Sequence, residues 1–387
     1  KTNIEKKIID MIDIGGCSLL RSASKNYKYV TGISDTKDYS KLIENLNKNN
    51  GKTDISFRKK QAGLNYKITS RYDKIISKWF NKTNEKNNRI NLRYGENPDQ
   101  KAYIIEDRQE SIFENQISGK NISYNNILDV DSGYRCLQEF KEPTCIILKH
   151  TNPCGVSSSS NINKAFERAF KCDEKSAFGG VVLMNRKINI ELANKLSKFF
   201  FEIIVATDFD RLALEKLKEK KKLVLLKINN LNHERTDYKS TIFGKLYKRY
   251  SLDLINKNFI KSASKKKVSE KIIKDLLFSL KVVKHLKSNA IVLSKDKQTI
   301  GLGIGQTNRV DSLKIAISNM KTNFKSKDFV CASDGFFPFT DSLKILLKHN
   351  CKCLGQPSGS INDEKIIKYA SEKNLPIYFI KNRLFKH

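Results

Sequence analysis

The chain has 387 residues, a length that predicts two or three domains at about 150 residues each and excludes a single small module. Hydrophobic residues make up 39% of it, and no apolar run approaches the roughly 18 residues of a membrane-spanning helix, so we expect no membrane partner. The net charge of +32 would suit nucleic acid, but the lysines are scattered without a basic stripe, so we expect no nucleic-acid partner either.

The first part of the chain ends in a helical pattern. Residues 1–80 close with apolar positions such as Ile75 and Trp79 at helical spacing, and the polar stretch 81–91 has the composition of a linker. The chain starts at Lys1 without a signal-peptide pattern, and we expect that its beginning is missing. Eight cysteines occur without a CxxC pair, which we interpret as reduced thiols of a cytoplasmic protein.

From about residue 120 onward, short apolar runs typical of buried strands alternate with helical periodicity. The predicted elements of the first half are strand Cys145–Leu148, helix Ile162–Phe170, strand Gly180–Met184, helix Ile190–Phe199, strand Ile203–Ala206, helix Leu212–Leu217 and strand Leu223–Leu226. A polar, weakly patterned segment covers Asn229–Lys267. The later elements are a helix over 272–283, strands Ala290–Leu293 and Thr299–Leu302, a helix from Val310, strand Phe329–Ala332, helices Asp341–Leu347 and Glu364–Ala370, and strand Ile377–Ile380. This alternation predicts an α/β fold in which helices cover a sheet.

Five segments place polar, glycine and proline residues at strand ends, where α/β folds form their sites. They are Leu92–Gln100, Leu148–Gly155, Ser176–Gly180, Lys287–Ala290 with Gly301–Asp311, and Ser333–Asp341. His150 follows an apolar strand and precedes an Asn-Pro turn, and an imidazole there can exchange a proton near neutral pH. Lys149 can stabilise a developing oxyanion, although neighbours on a regular strand point to opposite faces. The alternative is a structural turn histidine beside a solvated lysine.

Other common motifs are weak in this sequence. Gly301, Gly303 and Gly305 lack the spacing of a dinucleotide-binding loop, and we interpret them as glycines of a tight strand-to-helix turn. The five histidines are dispersed, and Cys351 and Cys353 are too close together for a zinc-finger pair. The sequence therefore predicts no metal site.

In their order, these segments closely resemble the bifunctional AICAR transformylase/IMP cyclohydrolase family. The matching motifs are Arg-Tyr-Gly-Glu-Asn-Pro from 93, Lys-His-Thr-Asn-Pro-Cys-Gly from 149, Ser-Ala-Phe-Gly-Gly from 176, Lys-Ser-Asn-Ala from 287, Gly-Gln-Thr-Asn-Arg-Val-Asp-Ser from 305 and Asp-Gly-Phe-Phe-Pro-Phe from 334. The resemblance implies formyl transfer from 10-formyltetrahydrofolate to the 5-amino group of AICAR ribotide by a homodimer, with no metal required. The alternative is a weakened relative that binds purine ribotide or has a structural role.

The resemblance also implies an architecture. Residues 1–80 are similar to the later part of a methylglyoxal-synthase-like cyclohydrolase domain, and Asp13 and Lys25 match its active-site Asp and Lys. Residues 92–387 are similar to a two-lobed, cytidine-deaminase-like transformylase region, with a lobe boundary near 230–290. Because the opening strands of the cyclohydrolase domain have no counterpart, we expect ring closure to be lost.

The resemblance implies a role for each matching residue. His150 is the expected proton acceptor, Lys149 its partner and Asn289 the residue that orients them. The expected ribotide contacts are Arg93, Tyr94, Asn126, Gly179, Glu202, Arg309, Phe336 and Arg383, and the expected folate-binding positions are Val310, Asp341, Ser360 and Ile361. Three sites depart from the family pattern, and one of them is the stretch Phe243–Lys248, which replaces a glycine-rich Gly-Gly-Leu-Leu-Val-Gln segment. Asp99 is expected either to neutralise Arg93 or to point into solvent, and Thr340 replaces an Arg before Asp341.

Overall fold

The computed structural model describes residues 2–80, 89–105, 111–228, 236–249, 255–264, 266–324, 326 and 328–387. The chain divides into two units. One contains Lys1–Ile90 and Ile104–Asp107, and the other contains Asn91–Tyr103 and Arg108–His387. Residues 81–88 of the predicted linker at 81–91 lie outside the described residues. Its last three residues form a strand.

The first unit is mainly helical where it is described. Its helices are α1 (Thr2–Asp10), α2 (Gly15–Lys25), α3 (Tyr39–Lys48) and α4 (Ile55–Phe80), and strands β1 (Arg89–Asn91) and β2 (Tyr103–Ile105) lie where the chain passes between units. Helix α4 confirms the helical pattern predicted before residue 80. Its buried Asn65 donates hydrogen bonds to Ser24 Oγ of α2 and to the Gly32 carbonyl, both at 3.1 Å. Side-chain hydrogen bonds therefore help to join α2 to α4.

The second unit is built on a mixed sheet. Its strands are β3 (Gln116–Ser118), β4 (Thr144–Lys149), β5 (Asn152–Ser158), β6 (Val181–Met184), β7 (Ile203–Ala206), β8 (Val224–Lys227), β9 (Thr236–Thr241), β10 (Gly244–Arg249), β11 (Ile260–Ser262), β12 (Ile291–Lys295), β13 (Gln298–Gly303), β14 (Phe329–Ser333), β15 (Cys351–Pro357) and β16 (Ile377–Ile380). Twelve of them form one sheet in the order β11-β16-β15-β14-β12-β13-β5-β4-β6-β7-β8-β3. Strands β9 and β10 form a separate hairpin.

Helices cover both faces of this sheet. They are α5 (Tyr124–Leu137), α6 (Ile162–Phe170), α7 (Glu174–Ala177), α8 (Ile190–Leu196), α9 (Arg211–Lys218), α10 (Glu270–Val283), α11 (Arg309–Asn323), α12 (Asp341–Lys348) and α13 (Asp363–Glu372). The predicted α/β alternation is confirmed, but α5, β5 and β15 were missed, and the segment expected to be weakly patterned contains the β9–β10 hairpin. Within the described ranges, no helix is both long and apolar enough to cross a membrane.

Alternate residues of the central strands enter different cores, as the two-residue period of a strand requires. Ile146 and Leu148 of β4 pack into the core that contains α5 and α10 residues, whereas Cys145 and Ile147 pack on the opposite face, against α6 and α8. All four side chains are fully buried. Residues 145–148 of strand β4 are apolar without alternation because both faces of the strand are covered there.

The sheet contains the same arrangement of strands and helices twice. Outward from its centre, the strand order is β5-β4-β6-β7-β8 on one side and β13-β12-β14-β15-β16 on the other. We call residues 124–227 the first repeat and 270–380 the second repeat. The equivalent strands β5 and β13 are antiparallel neighbours, which is the arrangement of an approximate two-fold axis between the repeats.

From the first helix of each repeat to the hairpin that follows it, equivalent positions are separated by 146 residues. Helices α5 and α10 both have 14 residues, with Asp129 and Asp275 at the sixth position. Each helix leads to a hairpin whose two-residue turn has positive φ at both positions, His150-Thr151 in one and Asp296-Lys297 in the other. The same spacing, from 129 to 275 and from 150 to 296, shows that the correspondence holds residue by residue over the helix and the hairpin.

Glycine occupies an equivalent strand position in both repeats because the following helix packs directly onto the strand. A Cβ atom on Gly155 would lie 2.1 Å from the Ala169 carbonyl oxygen, and one on Gly301 would lie 2.2 Å from that of Ala316. Gly301 and Gly303 both lie in β13 and not in the strand-to-helix turn that the sequence predicts. Gly305, with φ 67°, does lie in that turn.

Gly301→Ala should lower the free energy of unfolding by about 1–3 kcal/mol, because the added methyl group meets a helix backbone that cannot move alone. Gly63 is the matched control, since it is exposed in α4 and an added Cβ would have no neighbour within 4 Å. Gly63→Ala should instead stabilise the protein by up to about 1 kcal/mol. Urea denaturation followed by circular dichroism measures both, and equal effects would contradict the packing described.

Candidate active site

His150 and Thr151 form the turn of the β4–β5 hairpin. Their φ angles of 52° and 64° are typical of a type I′ turn, and Lys149 and Asn152 are the paired residues that flank it. The turn therefore precedes the predicted Asn-Pro position, because Asn152 and Pro153 belong to β5. Strand β4 ends at Lys149, so the side chains of Lys149 and His150 no longer have to point to opposite faces of the sheet. Both residues line the same cavity of about 230 Å³.

Both repeats contribute to the walls of this cavity. Its other lining residues are Asn152, Pro153, Cys154, Cys172, Asp173 and Ser176 from the first repeat, and Leu302, Ile304 and Asn319 from the second. Burial raises the pKa of the Cys172 thiol to about 12, so it is not a nucleophile near neutral pH. Asp173 is engaged as the N-cap of α7 through the amide and hydroxyl of Ser176. His150 is exposed at this cavity.

The Lys149 ammonium lies beside the main chain at Gly179. Its Nζ donates to the Phe178 carbonyl at 2.9 Å. Gly179 has a φ of 69°, and its N–H donates to the Phe200 carbonyl at 2.8 Å. The structure thus brings two predicted site residues, Lys149 and Gly179, to one edge of the sheet.

Two more predicted residues, Asn126 and Glu202, contact each other directly. The Asn126 amide donates to Glu202 Oε2 at 3.0 Å, and the Lys120 ammonium lies 3.5 Å from the same oxygen. The neighbouring Asn125 donates to the Glu96 carbonyl at 3.1 Å, which anchors the 92–100 loop to the start of α5. The start of α5, the strand β7 and this loop therefore meet at one place.

The 92–100 loop presents an exposed guanidinium. Arg93 donates to the Tyr94 hydroxyl at 2.6 Å and lies 4.5 Å from the centre of the Tyr94 ring. Asp99 is exposed and forms no ion pair with Arg93, so the structure shows the second of its two expected positions. Arg93 therefore remains available to an anionic ligand.

Asn289 is held in place by the second repeat. Its Nδ2 donates to the carbonyls of Gln306 and Thr307 at 2.9 and 3.0 Å, and its Oδ1 accepts a hydrogen bond from Arg309 at 2.7 Å. Arg309 also forms an ion pair with Asp334, which is fully buried. The Arg309 guanidinium therefore binds protein groups in this structure, and it fixes the Asn289 side chain.

Asn152 joins the histidine turn to the Asn289 loop. Its Nδ2 donates to the His150 carbonyl at 3.0 Å, and its Oδ1 accepts from the backbone N–H of Lys287 at 2.9 Å. Lys287 lies two residues before Asn289. One asparagine side chain thus connects the predicted proton acceptor with the segment that carries the predicted orienting residue.

A second exposed guanidinium belongs to the C-terminal tail. Arg383 lies over the rings of Phe336 and Phe385, at 5.4 and 5.7 Å from their centres. The adjacent Leu384 donates its N–H to the Asp334 carbonyl at 3.0 Å, which fixes the tail against the second repeat. Arg383 and Phe336, both predicted as ribotide contacts, are therefore neighbours.

Comparison with known proteins assigns the chain to a family. The family described as AICARFT/IMPCHase bienzyme matches residues 23–319. This chain belongs to that family. Three similar curated proteins are each named bifunctional purine biosynthesis protein PurH. The protein of Persephonella marina is 41% identical, over 98% of this chain and 78% of the relative. The protein of Caldicellulosiruptor saccharolyticus is 40% identical, over 98% of this chain and 77% of the relative. The protein of Buchnera aphidicola subsp. Schizaphis graminum is 40% identical, over 99% of this chain and 77% of the relative. The family indicated by the sequence motifs is confirmed.

The four expected folate positions in this AICARFT/IMPCHase member lie at two helix starts and one turn of the second repeat. They are Val310, Asp341, Ser360 and Ile361. The Val310 N–H donates to the N-cap side chain of Asn308 at 2.9 Å. Asn362 donates to the Pro338 carbonyl at 3.0 Å, so the 360–361 turn is tied to the loop that carries Phe336. Ile361 itself is fully exposed.

The two predicted cyclohydrolase residues lie at opposite ends of α2 in the first unit. Asp13 accepts a hydrogen bond from the Gly16 N–H at 2.8 Å, and its own N–H donates to the Tyr72 hydroxyl at 2.8 Å. Lys25 is the last residue of α2. At about 1.5 Å per residue, the helix separates them by roughly 15 Å along its axis, so the structure does not bring them together.

A larger cavity, of about 580 Å³, lies at the equivalent hairpin turn of the second repeat. Two ion pairs lie in its lining, since Lys297 binds Glu142 at 2.6 Å and Lys271 binds Asp296 at 2.6 Å. The position equivalent to His150 is Asp296. Among the described residues, no group of three or more His, Cys, Asp or Glu side chains is arranged to hold a metal ion.

The residues that hold the histidine turn were not predicted from the sequence. The Thr151 N–H donates to Asp129 Oδ1 at 2.5 Å, and the Thr151 carbonyl accepts from Ser132 Oγ at 2.7 Å and from Lys386 Nζ at 3.2 Å. An acidic residue between Leu128 and Val130 is a weak signal, and α5 itself was not predicted. Lys386 is one of 73 basic residues, and no sequence pattern separates it from the others.

Replacing Arg309 tests whether its buried ion pair stabilises the fold. Arg309→Met should lower the free energy of unfolding by about 3–5 kcal/mol, because it leaves the buried Asp334 carboxylate without its cation. The double variant Arg309→Met/Asp334→Leu should recover most of that loss, since no uncompensated charge is then buried. Chemical denaturation measures both. If the single variant is as stable as the wild-type protein, the ion pair does not stabilise the fold, and ligand contact remains as the role of Arg309.

Proposed function

We propose that this chain transfers the formyl group of 10-formyltetrahydrofolate to the 5-amino group of AICAR ribotide, with His150 as the proton acceptor. The family and the naming of its relatives for purine biosynthesis support the reaction. The single structural observation that supports the residue assignment is the shared cavity of Lys149 and His150 at a turn between the two repeats. An exposed imidazole beside a cation is the pair that acyl transfer to a weak amine needs.

The chemistry assigns one task to each member of the pair. The AICAR amine is conjugated to its ring, so it must lose a proton as its nitrogen bonds to the formyl carbon. His150 takes that proton, the bond from the formyl carbon to folate nitrogen breaks, and the proton passes to that leaving nitrogen. Lys149 stabilises the oxyanion that develops on the formyl oxygen. Asn289, fixed by Arg309, orients the reacting groups.

The exposed guanidiniums of Arg93 and Arg383 provide the proposed contacts to the ribotide phosphate, since a planar guanidinium binds phosphate through paired hydrogen bonds. Further ribotide contacts are proposed for Tyr94, Asn126, the main chain at Gly179, Glu202, Arg309 and Phe336. For Arg309 the contact would add to its protein hydrogen bonds. The folate is proposed to lie near Val310, Asp341, Ser360 and Ile361.

We also propose the finer architecture that the resemblance implies. Residues 1–80 would correspond to part of a methylglyoxal-synthase-like cyclohydrolase domain, and 92–387 to a two-lobed, cytidine-deaminase-like transformylase region. The internal repeat supports two lobes, because the first repeat ends at residue 227 and the second begins at residue 270. All eight cysteines are free, which supports the proposed cytoplasmic location.

His150→Ala should abolish formyl transfer while AICAR ribotide affinity stays within roughly tenfold, because a base acts mainly in the transition state. Lys149→Arg should not restore the activity lost in Lys149→Ala, since a planar guanidinium does not replace a compact ammonium. His349→Ala, at the end of α12, is the matched histidine control. Turnover and calorimetric binding measure these effects, and near-normal turnover of His150→Ala would refute its role. Binding by the wild-type protein without turnover would support the weakened relative.

The family resemblance implies a homodimer, and the β9–β10 hairpin supports one. All but one of the twelve residues in its strands are exposed, and Ile242 and Phe243 at its tip are more than 90% exposed. An isolated two-stranded hairpin is only marginally stable in water, so these apolar side chains need a cover that the described part of this chain does not provide. We propose that a second copy of the chain covers them.

The double variant Ile242→Ser/Phe243→Ser should weaken self-association by at least about tenfold, because it removes two large apolar side chains from the proposed contact. Leu212→Ser, at a 57% exposed position on α9, is the control and should leave association unchanged. Sedimentation equilibrium measures both variants. A dimer that is equally stable in the double variant would place the interface elsewhere.

A further inference from the structure

We propose that Asp129 and Lys386 are positioning residues that hold the His150-Thr151 turn in the geometry that formyl transfer requires. The inference rests on the proposed function of His150. Neither side chain belongs to the set of substrate contacts described above. Each acts through the peptide groups of Thr151, the residue that follows the proposed proton acceptor.

Asp129 binds the N–H side of the turn. Its carboxylate accepts the Thr151 N–H at 2.5 Å from the sixth position of α5, a rigid helix packed on the sheet. Burial raises the pKa of Asp129, and the hydrogen bond from the Thr151 N–H acts on it in the opposite direction. A helix-borne carboxylate therefore fixes the peptide next to the imidazole.

Lys386 binds the Thr151 carbonyl of the same turn, and each N–H group of its ammonium has an acceptor. Its Nζ donates to Ser132 Oγ at 2.9 Å, to the Thr151 carbonyl at 3.2 Å and to the His285 carbonyl at 2.9 Å. An ammonium has three N–H donors, and here three oxygens accept them. A neutral amine has only two N–H donors, so deprotonation would leave one of these oxygens facing a lone pair.

The backbone of Lys386 links the turn to the Asn289 segment. Its carbonyl accepts from the Ser288 N–H at 2.9 Å, and its own N–H donates to Ser288 Oγ at 3.2 Å. Ser288 directly precedes Asn289. One residue of the C-terminal tail thus contacts both segments that carry the proposed catalytic groups, which come from different repeats.

The equivalent turn of the second repeat carries no proposed catalytic group, so its contacts show which ones the fold itself requires. There Asp275, the equivalent of Asp129, accepts both turn N–H groups at 2.8 and 2.7 Å. The Lys297 carbonyl, equivalent to that of Thr151, accepts the backbone N–H of Ser158 at 3.0 Å. The carboxylate is therefore common to both turns. The tail lysine replaces a backbone donor only at the turn that carries the histidine.

Burial lowers the pKa of Lys386 to about 8, within the working range of an enzyme. The titratable and charged groups around it are Asp129, Asp131, Arg135 and Cys136 on α5, Lys284, His285 and Lys287 at the end of α10, Glu139 beside His285, and His387 on the tail. Below about pH 8 the ammonium satisfies all three oxygens. As pH rises through this value one hydrogen bond is lost, so kcat should fall.

The test compares matched pairs of variants in the 387-residue chain. Asp129→Ala and Lys386→Met should lower kcat by about 10- to 100-fold, the loss expected when a catalytic group is displaced by about 1 Å, with AICAR ribotide affinity nearly unchanged. Asp129→Asn, which keeps an acceptor oxygen, should recover most of the activity. Asp275→Ala removes the same device from the other turn, and Lys281→Met removes a half-buried ammonium bound to the Glu139 carbonyl at 2.7 Å. Both controls should keep normal kcat even where thermal stability falls.

The pH profile separates positioning from general stabilisation. The wild-type protein should lose kcat as pH rises through about 8, and Lys386→Arg should shift that loss upward by more than one unit because guanidinium remains charged. Equal kcat losses in the Asp129 and Asp275 variants, or an unshifted profile in Lys386→Arg, would overturn the inference. If the wild-type protein itself transfers no formyl group, the proposed function fails, and the variants are then compared by the exchange rate of the Thr151 amide, which should rise in Asp129→Ala.

Discussion

The junction between β5 and β13 is the contact on which the active-site geometry depends. Thr299, which is fully buried, donates its hydroxyl to the Val156 carbonyl at 3.1 Å and accepts the Val156 N–H at 2.9 Å. One side chain thus satisfies both backbone groups of a residue at the centre of the sheet, where unpaired groups would be costly. This contact sets the register of the two repeats, and the register brings the end of β13 beside the His150 turn.

Duplication explains why the site lies where it does. Two repeats related by an approximate two-fold axis produce two equivalent turns, each at a contact between repeats and each bordered by a cavity. At the Asp296-Lys297 turn, the side chains of both turn residues form ion pairs, Asp296 with Lys271 and Lys297 with Glu142. At the other, His150 is exposed, Lys149 binds only a carbonyl, and the tail supplies Lys386. The same backbone arrangement therefore has only a structural role at the Asp296-Lys297 turn and forms a candidate catalytic site at the His150-Thr151 turn.

The large positive charge contributes little to this arrangement. Most ion pairs are exposed, such as that of Arg211 with Glu215, and pairs of this kind are worth about 0–1 kcal/mol. The charges that organise the site are the few buried ones. Arg309 with Asp334 fixes Asn289, and Lys386 holds the histidine turn, because low exposure makes each lost partner expensive.

The sequence by itself determined the α/β class, most strand and helix positions and the family, and it indicated the peptide segments that carry the predicted site residues. Periodicity reports which side chains are buried, and motifs report which residues follow strand ends, so both are readable along the chain. The sequence did not reveal that Lys149 and His150 share a cavity, that Arg309 binds Asn289, or that Asp129 and Lys386 hold one turn. The hydrogen bonds among them join residues 20 to 235 positions apart in the chain, such as Arg309 with Asn289 and Lys386 with Thr151, and only the packing of the chain brings them together.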